Sequence, residues 1–148
     1  GFFPSLAATL NHILAVDRYY IGALWREDGQ VQRYRDFVAS PSLAELEPRQ
    51  RATDERLIAF CNGLRSDADC ESWVDMDRGD HVQRDRVGHV LAHLFMHQTH
   101  HRGQAHAMLA GTCVAPPQLD EFLLPSDAGL RGADMAALGW SEAQVFAG

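Results

Sequence analysis

A chain of 148 residues, 46% hydrophobic and 22% charged, can bury a core as one helical domain (residues 1–148) without disulfide staples. A net charge of −7 with no basic patch to offset it argues against nucleic-acid or anionic-membrane partners. Three scattered cysteines, no apolar run of spanning length and no signal-peptide pattern point to a cytoplasmic location.

The chain opens with "GFFPSLAATLNHIL" and no initiator Met. Ser5 reads as an N-cap, and Leu6, Leu10, Ile13, Leu14, Ile21 and Leu24 recur at helical spacing to about Arg26. "EDGQ" ends that helix, and "VQRYRDFVASPSLAELEP" reads as a partly helical connector. A second helix is predicted from about Pro48 to Leu64. Pro48 would lie near N1, with Leu57, Ile58, Cys61 and Leu64 on the inner face. Alternation through Ser72–Met76 and a turn-like "RGD" predict a short hairpin, the "RGD" read as a surface turn. The longest helix is expected from about Arg84 to Gly111. A loop-rich tail follows, with a last short helix near Ser141 to Phe146.

The long helix carries six of the eight histidines, five of them (His93, His97, His100, His101 and His106) within fourteen positions. On a wheel of about 100° per residue, His101 falls inside the apolar arc of Val87, Val90, Leu91, Leu94 and Ala105, with His97 at its edge. His93, His100 and His89 drift outward, and His106 faces away. His97 and His101, one turn apart, are spaced so that two imidazoles can share a divalent ion. Such pairs also arise by chance, so spacing alone leaves metal ligands and hydrogen-bonded core histidines both open. No HExxH is present, which removes the zincin mechanism. A site needs a third ligand that periodicity does not supply. His12 only flanks the apolar arc of its helix, and His81 competes with it.

"LNHILAVDRYYIGAL" and "HLFMHQTHHRGQAHAML" resemble the two signature segments of the DinB/YfiT-like family of metal-dependent enzymes. "ATDERLIAFCNGL" and "VAPPQLDEFLLP" are similar to that family's intervening and closing segments. The resemblance implies an all-α, up-down four-helix bundle, often dimeric. It also implies a three-histidine site for a divalent ion (Zn, Ni or Fe), with His12 joining His97 and His101. Family members carry a further helix before the "LNH" segment, so the first family helix is expected to be missing here.

Asp17 falls on the apolar face of its helix, where it would either orient a ligand histidine or bond an Arg or backbone group. Gly103 suggests close approach of a neighbouring helix. Arg102 and Gln104 would reach substrate, a subunit interface or simply the helix surface. Tyr19, Tyr20 and Trp25 read as core or interface aromatics, and the cysteines as buried or inert.

Two function classes follow from the resemblance. One is a metal-dependent enzyme of the thiol S-transferase type, acting with a low-molecular-weight thiol and an unspecified electrophile as a homodimer; no catalytic residue beyond the metal ligands is named. The other is a non-catalytic metal-binding stress-response protein. The residues alone add a third, pH sensing by the histidine stripe.

Overall fold

The computed structural model describes residues 3–116 and 124–146. The chain divides into one compact unit through Val114 and a second from Ala115. Within the first, the order is α1 (Leu6–Leu24), α2 (Gln30–Arg35), α3 (Leu43–Gly63), α4 (Asp67–Cys70), β1 (Trp73–Asp77), β2 (Val82–Arg86) and α5 (Val87–Ala110). The unit is mostly helical, and a two-stranded antiparallel sheet is its only sheet among the described residues.

Helix α1 is capped by Ser5, whose Oγ accepts from the Ala8 N–H. Beyond Asn11 it is buried nearly all round, Arg18 being the one exposed residue, which suits an element surrounded by partners. Helices α2, α3 and α5 and strand β1 all pack against it. Leu14 and Ile21 are fully buried there, with Leu94 of α5 and Met76 of β1. Asn11 fastens the connector to α1: its Nδ2 donates to the Ser40 carbonyl and its Oδ1 accepts from the Ser40 N–H.

The hairpin pairs Trp73 with Arg86, Val74 with Asp85 and Met76 with Gln83. Alternation turns Val74 and Met76 into the core and leaves Trp73 and Asp75 outside. The Arg78 N–H donates to the His81 carbonyl to close the turn, and Gly79 at φ +94° supplies the positive φ such turns need. Tyr19 Oη donates to the Asp77 carbonyl, and the Asp77 N–H donates to Gln30 Oε1, which pins the hairpin to α1 and α2.

Several expectations are corrected. Helix α3 begins at Leu43, not Pro48, because Ser42 caps it by accepting from the Glu45 N–H. Pro48 therefore lies inside the helix. It cannot donate to the Ala44 carbonyl, a loss eased by the exposure of Ala44. Ile58 is exposed while Leu57 alone of the proposed inner face is buried. Arg84–Arg86 belong to β2, so α5 starts at Val87. Gly103 is exposed, and a Cβ there would meet nothing within 4 Å. Trp25 is exposed at the surface, its ring against Phe60, and Cys113 is exposed rather than buried.

The second unit holds a 3₁₀ turn (Pro125–Asp127), α6 (Gly132–Leu138) and α7 (Glu142–Phe146). Helix α6 falls where the sequence pattern predicts only loop. Arg131, fully buried, organises this unit with a forked contact to Glu142 and a bond to the Leu124 carbonyl. The segment "VAPPQLDEFLLP" lies in part, over residues 117–123, outside the described residues.

Candidate metal centre

Helix α5 turns Val87, Val90, Leu91, Leu94, Gln98, His101 and Ala105 inward, close to the arc expected from the wheel. His101 is buried and His97 half-buried, one turn apart on that face. Helix α1 packs against α5 and brings His12 opposite them. His12 Nε2 lies 3.1 Å from His97 Nε2, and one ring nitrogen from each of His12, His97 and His101 falls within 4.8 Å of the others. The ring centroids of His12 and His101 are 4.6 Å apart, and those of His97 and His101 4.3 Å. Phe3 packs on both His12 and His101, its ring 4.6 Å from the first.

Proton bookkeeping favours neutral imidazoles here. Burial, followed by repulsion from His101, His12, His93 and His100, brings the His97 pKa down to about 4. Burial and His101 lower that of His12 as well. His101 is bonded through Nδ1 to Gln104 Oε1 at 2.9 Å; an amide oxygen only accepts, so in the neutral ring Nδ1 carries the proton and Nε2 keeps its lone pair. Gln104 Nε2 in turn donates to His100 Nε2 at 3.0 Å. His97 Nδ1 is buried without a hydrogen-bond partner among the described residues.

This donor set fits a divalent ion. Tetrahedral bonds of about 2.1 Å would separate two ring nitrogens by about 3.4 Å, within a few tenths of the His12–His97 distance. Neutral imidazole suits Zn, Ni or Fe, and no carboxylate or thiol joins the group among the described residues.

The remaining candidates lie apart. Asp17 is fully buried, but Oδ2 accepts from Gln50 Nε2 of α3 at 2.9 Å and Oδ1 has no partner among the described residues, so its bond runs to an amide and not to a histidine. Burial raises its pKa against the pull of Gln50 and Gln98. His81 is exposed in the hairpin turn beside Asp80, and His89 is exposed near Asp85. His93 and His100 are exposed, and His106 is half-buried. Gln104, whose role the sequence leaves undecided, is the residue that fixes the His101 tautomer. Its i+3 and i+4 offsets from His101 and His100 are the signal that could have identified it.

A cavity of about 410 Å³ reaches the centre, with His97 and His93 in its lining. Tyr19 and Tyr20 of α1 and Arg35 of α2 form other walls, and Arg78 of the hairpin turn completes them. A ligand in it would therefore touch one of the three clustered histidines directly.

No curated protein sequence and no solved structure matches the chain. The model of the DinB family matches residues 1–132, which include His12, His97 and His101. Histidines brought together from two helices, in a chain matched over most of its length, lead to one assignment: this chain belongs to the DinB family.

Proposed function

We propose that the protein is a metal-dependent enzyme of the thiol S-transferase type, with His12, His97 and His101 holding a divalent ion and a low-molecular-weight thiol as co-substrate. The observation that carries this reading is the convergence of three ring nitrogens within 4.8 Å beside a ligand-sized cavity. Three protein ligands leave a coordination position for substrate, and the ion supplies the positive charge that lowers a thiol's pKa and stabilises its thiolate form.

The chain's own residues do the preparatory work. Gln104 holds the His101 Nδ1 proton away from the centre, and the low pKa of His97 keeps its ring unprotonated at neutral pH. Tyr19 and Tyr20 wall the cavity and limit the water beside the reacting groups. In this reaction class the thiol releases its proton, sulfur bonds to the electrophilic carbon, and the leaving group departs with the old bonding pair. A homodimer remains the expected assembly, from the family resemblance.

Elemental analysis of natively purified protein tests the reading, with His12→Ala, His97→Ala and His101→Ala beside it. About one divalent ion per chain is expected in the wild type and a large loss in each variant. The metal-loaded protein should then accelerate loss of a thiol in a panel of thiols and electrophiles. Stoichiometric metal in all three variants would sink the site. Metal without thiol consumption would favour the non-catalytic stress-response role.

A further inference from the structure

The cavity beside His97 carries a charge pattern that the metal reading leaves unused. Two of its lining residues are arginines from different elements, Arg35 at the end of α2 and Arg78 in the hairpin turn. Neither pairs with a carboxylate among the described residues, although the chain contains 20 acidic residues. By contrast, Arg33 and Arg56 share Glu27, and Arg84 and Arg86 pair with Asp75 and Glu71.

Arg78 is held by neutral partners only. Its Nε donates to Gln83 Oε1 at 2.9 Å and its Nη2 to Tyr20 Oη at 3.3 Å. Its Cζ lies 5.3 and 5.5 Å from the Tyr19 and Tyr20 ring centroids. These contacts fix the guanidinium without neutralising it. Arg35 makes no hydrogen bond or ion pair among the described residues, and its guanidinium lies on the bare Cα of Gly79. A Cβ at that glycine would overlap Arg35 Nη2 and sit 3.2 Å from Cζ. The one lining carboxylate, Asp77, turns Oδ1 to the Gly79 N–H at 2.7 Å. Two guanidiniums against one such carboxylate leave the cavity with positive charge to spare.

We propose that this cavity binds a small molecule through an oxyanion, a carboxylate or a phosphate, gripped by Arg78 and Arg35. The ligand's apolar body lies along Tyr19 and Tyr20, and its other end faces His97. Planar guanidiniums match the paired oxygens of both groups, and the cavity volume suits a single small ligand. The inference rests on the metal reading only for what the far end of the ligand meets; the anion grip stands on the arginines alone.

The test uses the full chain stripped of metal by chelation, titrated calorimetrically with phenylacetate, phenyl phosphate and neutral phenylacetamide. At least one anion is expected to bind, with phenylacetamide weaker by roughly 10- to 100-fold. Arg78→Gln and Arg35→Gln should each weaken that anion by about 10-fold, and Arg78→Lys should recover part of the loss. The better of the two anions identifies the headgroup. Equal binding of phenylacetamide, failure of both anions, or unchanged anion affinity in both Gln variants would overturn the proposal. Arg35 is exposed, so its variant reports even where Arg78→Gln does not fold. Anion binding by stripped protein that never retains metal would fault the metal reading and leave this one standing.

Discussion

Asp17→Asn separates two roles for a carboxylate at the heart of the molecule. Asp17 is fully buried; Gln50 donates to Oδ2, the Gln98 side chain also favours the carboxylate, and Oδ1 has no partner in hydrogen-bond geometry among the described residues. A buried acceptor without a partner costs about 1–3 kcal/mol, and burial raises this carboxyl's pKa above the usual range. A raised folded pKa means that the native state holds its proton more tightly than the unfolded chain. The stability from that proton is full below about pH 4, where both states are protonated, and is lost as pH rises through the folded pKa. At pH 7 the ionised form therefore carries a cost that an amide would not. The Asn amide keeps an acceptor for Gln50 and removes the charge, so Asp17→Asn is expected to gain about 1 kcal/mol at pH 7. Urea denaturation of metal-free protein from pH 4 to pH 8 measures it: the gain should shrink toward the acid end, and zinc affinity should stay within about twofold of wild type. A variant destabilised by more than about 1 kcal/mol, with zinc affinity down about 10-fold or more, would refute this reasoning and show that the carboxylate orients a ligand.

Gln104→Leu frees the His101 Nδ1 proton from its acceptor, so zinc affinity measured against a competing chelator should fall roughly 10- to 100-fold with little change in melting temperature. Gly79→Ala should destabilise the protein by about 1 kcal/mol from its positive φ alone. Urea denaturation should show the same loss in an Arg35→Ala background, where the overlap is gone but the backbone strain remains. Metal-free protein should lose stability as pH falls from about 6.5 toward 4, because the unfolded chain protonates His97 before the native state does. With screening discounted for a half-buried ring, the loss is about 1–2 kcal/mol. Denaturation at several pH values checks it, and saturating zinc should deepen the dependence, since protons then also compete with the ion.

The parts of this fold that can be read from sequence are those set locally, within one helix or one hairpin. Ser5 and the apolar spacing after it locate α1, and the wheel separates buried His101 from exposed His93 and His100. The starts of α3 and α5 differ from the expected ones because two local signals compete at each. Ser42 outranks Pro48 as a start, and β-pairing of Arg84–Arg86 outranks helical spacing. What requires elements far apart in the chain is out of reach. His12 flanks its own apolar arc and meets His97 only because α1 packs on α5, so family resemblance rather than periodicity points to it. Arg35 and Arg78 are 43 positions apart, and nothing in their neighbourhoods announces a shared cavity. Gly103 shows the opposite error, where a helix-interior glycine suggests a close neighbour and the structure has open space.

The junction of β2 and α5 has a consequence for how this chain can change length. Val87 follows Arg86 without a linker, and its N–H is tied to the Ser72 carbonyl at 2.9 Å. The hairpin thereby sets the rotational phase of α5, and with it the direction in which His97 and His101 point. One residue inserted between Val87 and His97 would swing both rings by about 100°, away from His12. The exposed turn around Asp80 tolerates added length without moving that phase. For the three histidines, variation in length is thus partitioned by geometry, without effect at the tip of the hairpin and forbidden along the first ten residues of the helix it feeds.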